Sequence, residues 1–255
     1  MKNYFEGAII EREYTKMLRG EINAYENMQC RPIDQQLEPR YYAASEYTID
    51  IVPLLPEHRQ RVINLLMSSF FIQEPLNDVL KFDIPHELLS WADQVVDDAL
   101  RDQCSFVAID TTAPHNNILG VILNSISNSG DKEETVVMES EKLKFIFSLM
   151  HKLMDGYDLF KLYKTDRLFH SDIVNVDEKE RGQNLSTRLI AKSLDKARQL
   201  GIKAAYVICT SFFSRRSFMH QGFQVINELL YSKNGDKRLL NMGIHDRCAL
   251  LGRQL

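Results

Sequence analysis

The chain has 255 residues, 44% hydrophobic and 26% charged, an ordinary globular balance and enough to bury one sizeable core. A net charge of −4 gives no sign of the basic face that nucleic-acid binding needs, and it does not disfavour small cationic ligands. Four cysteines (Cys30, Cys104, Cys209 and Cys248) lack CxxC spacing and read as buried free thiols in a reducing compartment. The first residues, MKNYFEGAIIEREY, hold no uninterrupted apolar run, so no leader is expected, and no run comes near the ~18 apolar residues that span a bilayer. The expectation is a cytoplasmic protein without a membrane or nucleic-acid partner.

Residues 1–45 read as an N-terminal extension, helical or mobile, and residues 46–255 as the folded domain. Within the extension, Glu11 to Cys30 has the scattered apolar positions of a weak amphipathic helix, and Arg31 to Pro39 carries two prolines and reads as a connector. Tyr47 to Val52 is β-branched and aromatic, hence a strand. Val62, Ile63, Leu65, Leu66 and Phe70 follow at helical spacing until Pro75 breaks the pattern. The stretch Gln73 to Glu87 reads as a loop. Leu88, Ala92, Val95, Val96, Ala99 and Leu100 mark a second amphipathic helix. Ser105 to Asp110 and Ile118 to Ile126 read as two strands of a hairpin around Pro114, and Ser129 to Glu134 as a charged loop.

A third helix carries Leu143, Ile146, Phe147, Met150, Leu153 and Met154, with Gly156 placed to close it. Leu168 to Val176 is a strand. Leu185 to Leu200 is a helix closed by Gly201, Lys203 to Cys209 a strand, and Ser214 to Gln221 a short helix closed by Gly222. Phe223 to Ser232 is a strand, Asn234-Gly235 a tight-turn signal, and Lys237 to Ile244 the expected last strand. The resulting order, β-α-α-β-β-α-β-α-β-α-β-β, is a mixed α/β pattern with a central hairpin and a later βαβ unit.

The chemistry concentrates in Asp172 to Leu189, DIVNVDEKERGQNLSTRL. A strand ends at Val176, a charged turn leads to Arg181-Gly182-Gln183-Asn184, and a helix starts at once with Leu185-Ser186-Thr187. Such an entry aims several backbone N–H groups at one spot on the positive end of a helix dipole, which suits a phosphate. Gly182 lets the backbone approach a ligand, and Asn184 is a residue that visits the left-handed region readily. The loop is neither a P-loop nor a dinucleotide fingerprint. A plain strand-to-helix turn with an Arg-Gly pair is the structural alternative.

The strand DIVNV, the loop RGQN, the helix LSTRLI, and the later YVICT and FMHQGF resemble the GNAT superfamily of N-acetyltransferases. SSFFIQEPLN (Ser68 to Asn77) and CTSFFSRRSFMHQGF (Cys209 to Phe223) look, more narrowly, like the insect-type arylalkylamine N-acetyltransferases. The resemblance runs from about Tyr47 to Leu255. It implies the GNAT acyl-CoA N-acyltransferase fold, an α/β architecture whose central mixed β-sheet is flanked by helices. Two parallel strands, Leu168 to Val176 and Lys203 to Cys209, would splay to admit acetyl-CoA. The backbone of Val174 and Val176 would hold the pantetheine arm, with the Val174 N–H a candidate to polarise the thioester carbonyl. Arg181, Gly182, Gln183, Asn184, Leu185, Ser186 and Thr187 would cradle the pyrophosphate, with Asn184 in place of the second glycine of the superfamily's RGxG.

The resemblance also gives Glu74 the part of catalytic base, against the alternative of a solvated loop glutamate. Thr210 and Ser214 match two hydroxyl positions of the same enzymes. They would relay a proton or bind the CoA sulfur, or Ser214 would simply cap the short helix. Phe218 stands where other members of the superfamily carry a tyrosine acid, so no phenolic acid acts there. His170 and Asp172 lie two apart on one strand face and are read as a half-buried polar strand end, although vertebrate-type relatives carry a histidine pair there. Phe70, Phe71, Phe212 and Phe213 are divided between core and an aromatic-accepting pocket. The histidines show no metal-binding spacing, and no metal is expected.

The expected activity is transfer of an acetyl group from acetyl-CoA, as cosubstrate, to the primary amine of a dopamine-, tyramine-, octopamine- or serotonin-like molecule by direct attack in a ternary complex. A polyamine or protein acetyltransferase, or an acyl-CoA sensor with little turnover, are the other readings. The expected assembly is a monomer or weak dimer.

Overall fold

The computed structural model describes residues 48–112, 117–131 and 140–255. The expectations for residues 1–45, for the connection around Pro114 and for most of the charged loop after Ser129 lie outside the described residues.

Seven strands form one sheet in the order β1-β2-β3-β4-β5-β7-β6. They are β1 (Ile49–Pro53), β2 (Phe106–Asp110), β3 (Ile118–Asn128), β4 (Arg167–Val176), β5 (Ala204–Cys209), β6 (Gln224–Leu230) and β7 (Arg247–Gln254). Every pairing is antiparallel except β4 with β5. Strand β3 is buried without a break from Leu119 to Asn124, so its sequence is a continuous apolar run, not an alternating one.

Helix α1 (Arg59–Leu65) continues through a π-helical turn, Leu66–Phe70, into the short α2 (Phe71–Gln73). Then come α3 (Pro75–Leu80), α4 (Leu89–Asp102), α5 (Glu141–Met154), α6 (Leu159–Tyr163), α7 (Leu185–Gln199) and α8 (Phe212–His220). Helix α7 buries Leu185, Leu189, Ile190, Leu194 and Ala197, an i, i+4 stripe that packs on one sheet face with Phe218 and Phe223. The other face is covered by two clusters, one around α1 and α4 and one around α5.

Two sequence expectations need correction. Gln73 to Glu87 is not all loop, because Pro75 occupies the first position of α3, where its missing N–H costs nothing. Lys237 to Ile244 is not a strand. Gly235 does turn the chain, at φ +85°. The Asp236 carboxylate then accepts from the Arg238 N–H at 2.9 Å and winds Lys237–Leu239 into a single 3-10 turn. The strand that completes the sheet is Arg247–Gln254, between β5 and β6, where Cys248 to Gly252 are all buried.

Strands β4 and β5 meet only over Phe169↔Ala205, His170↔Tyr206 and Ser171↔Val207. Beyond that, β4 runs on to Val176 and β5 to Cys209 without pairing. The parting starts where β4 carries an extra residue: Leu123 pairs with Ile173 and Asn124 with Ser171, so Asp172 is bulged out. A bulge bends and over-twists its strand, which turns β4 away from β5. The bulge also changes the phase of β4. Phe169 and Val174, five apart, pack toward α7, while Leu168 and Ile173 face the opposite side.

Buried Asn124 locks this spot. Its amide donates to the Cys104 carbonyl at 2.9 Å and to the Ser193 hydroxyl at 3.0 Å, and its side-chain oxygen accepts from the Ser171 hydroxyl at 2.9 Å. Its backbone N–H donates to the Ser105 hydroxyl at 2.9 Å.

Candidate active site

The segment Glu74-Pro75-Leu76-Asn77 is fixed residue by residue. Glu74 is extended (φ −68°, ψ 120°), as the residue before a proline prefers. Leu76 is buried in the core, and the Asn77 amide donates back to the Phe71 carbonyl at 3.1 Å. The Glu74 side chain does not cap α3. It lines a cavity of about 280 Å³ together with Phe71, Trp91, Phe147, His170 and Thr210.

Glu74 Oε1 and Asn175 Nδ2 are the buried side-chain polar atoms without a hydrogen-bond partner among the described residues. Such orphans are rare, and each calls for an explanation. Burial pushes the Glu74 carboxyl up to about 7, and the neighbouring Thr210 hydroxyl and Leu76 N–H, the latter without closing a cap on α3, partly offset the rise.

The structure separates the two hydroxyl candidates. Thr210 follows β5, lines the cavity beside Glu74, and has its carbonyl held by the Tyr231 hydroxyl at 2.9 Å. Ser214 lies in the first turn of α8, and Ser211, not Ser214, caps that helix. The Ser214 hydroxyl donates to the Ser211 carbonyl at 3.1 Å and lies against the Cys209 thiol. Burial drives that thiol up to about 12, which leaves it protonated and inert. Phe218 is a buried core residue.

His170 and Asp172 are half-buried as expected, but they also line the Glu74 cavity. His170 Nδ1 lies 2.9 Å from Asp172 Oδ1, and Asp172 Oδ2 accepts from the Ser125 hydroxyl at 2.9 Å. Of the four phenylalanines set aside in the sequence, Phe70 and Phe71 line the cavity, whereas Phe212 and Phe213 do not. Trp91, Phe147 and Tyr231 carry no local motif. Only the tertiary fold brings them to the site.

At the other end of the parted strands, Gly182 has φ +84° and Asn184 φ +57°. A Cβ on Gly182 would meet nothing within 4 Å, although its φ still favours glycine. Asn184 precedes α7 without its side chain capping the helix. The helical ladder starts with the Arg188 N–H bonded to the Asn184 carbonyl at 3.0 Å, so the N–H groups of Leu185, Ser186 and Thr187 have no partner within the helix. Residues 181–184 are exposed. Arg181 is anchored on the Gln73 side-chain oxygen, which ties this turn to the segment holding Glu74. Val174 and Val176 lie on β4 beyond the last β5 contact. No cluster of three or more metal-ligating side chains occurs among the described residues, and no helix among them is long and apolar enough to cross a membrane.

A seven-stranded mixed sheet that parts between two parallel strands, with a helix N-terminus at the opening, is the fold of the GNAT N-acetyltransferases. Within that superfamily the chain resembles the insect arylalkylamine N-acetyltransferases. The crystal structure of arylalkylamine N-acetyltransferase 2 from Aedes aegypti is similar at a TM-score of 0.72 and 26% identity, over 81% of this chain and 99% of that one. A putative arylalkylamine N-acetyltransferase 7 from the same mosquito gives 0.71 and 18%, over 81% and 87%. The polyamine N-acetyltransferase of Drosophila melanogaster gives 0.67 and 20%, over 82% and 100%. No family model matches the chain.

Proposed function

We propose that the chain is an acetyl-CoA-dependent N-acetyltransferase that acts on the primary amine of a small arylalkylamine. The observation that carries this reading is the buried, unpartnered Glu74 oxygen in an aromatic-walled cavity beside the opened strands. The residues present suit acetyl-CoA: unpaired strand edge at Val174 and Val176, then an exposed turn leading into N–H groups that have no helical partner. Bound there, acetyl-CoA supplies an acetyl group already activated as a thioester.

The chain's own residues would do the rest. The N–H groups of Leu185, Ser186 and Thr187, with the Arg181-Gly182-Gln183-Asn184 turn, would take the pyrophosphate oxygens. The main chain of Val174 and Val176 would pair with the pantetheine amides as an added strand does, and the Val174 N–H would steady charge on the acetyl oxygen. An alkylammonium near pKa ~10.4 must lose a proton before it can attack. Glu74, raised to about 7, is matched to accept that proton at neutral pH. Thr210 would position the carboxylate or carry the proton to it. Ser214, engaged with Ser211 and Cys209, would hold the end of β5.

A second reading is a polyamine acceptor, favoured by Asp98 and Asp172 in the cavity wall and by the similarity to an enzyme that forms N-acetylagmatine. A thiol-release assay over phenethylamines, indoleamines and polyamines decides between them. Arylalkylamines are expected to give the highest kcat/KM, and Glu74→Ala to lower kcat at least tenfold. Acetyl-CoA binding without CoA release for any amine would overturn the enzyme reading.

A further inference from the structure

We propose that His170 is a specificity determinant that accepts a hydrogen bond from a hydroxyl on the ring of the amine. The proposal rests on the arylalkylamine reading above. A carboxylate can only accept, so the 2.9 Å contact with Asp172 assigns a hydrogen to Nδ1. In this proposal Nε2 is the nitrogen left to accept from a ligand in the cavity that His170 lines. Asp172 is in turn held by Ser125. The imidazole lies flat on Tyr206, with ring centroids 4.3 Å apart and planes 6° apart, so it is clamped on its face as well as at its edge. The β4 bulge pushes Asp172 out of register and so delivers the acceptor that fixes the histidine.

Tyr206, on which His170 stacks, and Thr210, beside Glu74, are four residues apart along β5 and its continuation, about 13 Å of chain at ~3.3 Å per residue, so the two contacts fall at different points along the cavity, as a ring hydroxyl and an amine arm require. The wall along this span is aromatic: Phe71 meets Trp91 edge-on at 5.5 Å, and Trp91 meets Phe147 at 6.3 Å. One end of the cavity therefore handles the amine and the other reads the ring substituent.

The test compares kcat/KM for 4-hydroxyphenethylamine with that for phenethylamine, using the full chain and acetyl-CoA. The hydroxylated amine is expected to be preferred at least tenfold, because an unsubstituted ring would cover the half-buried His170 nitrogen and leave it without a donor in the complex. The ratio should collapse toward one in His170→Phe, which can still stack on Tyr206, and fall in Asp172→Asn, which frees the histidine tautomer. If His170→Phe does not fold, the Asp172→Asn ratio decides alone. Acetyl transfer with a ratio that neither variant changes would overturn the assignment and leave the acetyltransferase reading standing. So would faster turnover of agmatine, lost in Asp172→Asn. No transfer to any amine would end both.

Discussion

A carboxyl group held against apolar walls, with one oxygen buried and unpartnered, weakens the fold that holds it. The Glu74 carboxyl rises from an ordinary 4.5 to about 7 in the folded chain, so between those values the native state binds more protons than the unfolded one. Stability contributed by this group is therefore lost as pH climbs through that window, and the full cost is felt above it. Glu74→Gln is expected to raise the melting temperature relative to the parent at pH 8 but not at pH 4. The gain should be about 1 to 3 kcal/mol, from 1.36 kcal/mol per pKa unit. Equal shifts at the two pH values would show that the carboxyl is not perturbed. The same group should set an acidic limb near pH 7 in kcat/KM, absent from Glu74→Ala. The sequence announces this residue only through its neighbours, because the roles of Pro75, Leu76 and Asn77 become physical reasons once each is seen in place. Tyr231, which steadies Thr210, could not be read from local pattern at all.

At the level of elements, the opening between β4 and β5 depends on a bulge, and the bulge depends on Asn124. Replacing it with leucine would strand the Ser171 and Ser193 hydroxyls and the Cys104 carbonyl in a buried site. Asn124→Leu is expected to cost about 2 to 4 kcal/mol in a denaturant titration. A loss under 1 kcal/mol would mean the network is not what pins the strand. Most helices and strands were legible because each shows one clean period, as in the α7 stripe. The left-handed Asn184 was legible too, since residue type alone points to that conformation. The bulge was not, because a one-residue shift in pairing leaves no local trace in DIVNV. For the same reason the sequence read His170 and Asp172 as a plain strand end, and the cavity they share with Glu74 came from tertiary placement.

For the whole molecule, the misplaced last strand is the most instructive difference. Asn234-Gly235 is a genuine turn signal, but turn chemistry fixes only where a chain bends, and Asp236 bent it again before a strand could start. Arg247–Gln254 then takes an interior place between β5 and β6, with Leu250 and Leu251 fully buried. Leu251→Ala is expected to cost about 2 to 5 kcal/mol, as for other large core deletions, and to be visible in the unfolding midpoint. A shift near zero would mean that β7 is peripheral.

That place in the sheet also shapes how the polypeptide is born. On a ribosome releasing residues in order, β1 to β5 can align as soon as they emerge, while β6 must wait, since β7, its neighbour among the described strands, is synthesised after it. Until residues 247–254 arrive, one flank of β5 stays open to any passing strand. A nascent chain stalled before residue 247 should accordingly be protease-sensitive beyond Cys209 and a ready client for chaperones.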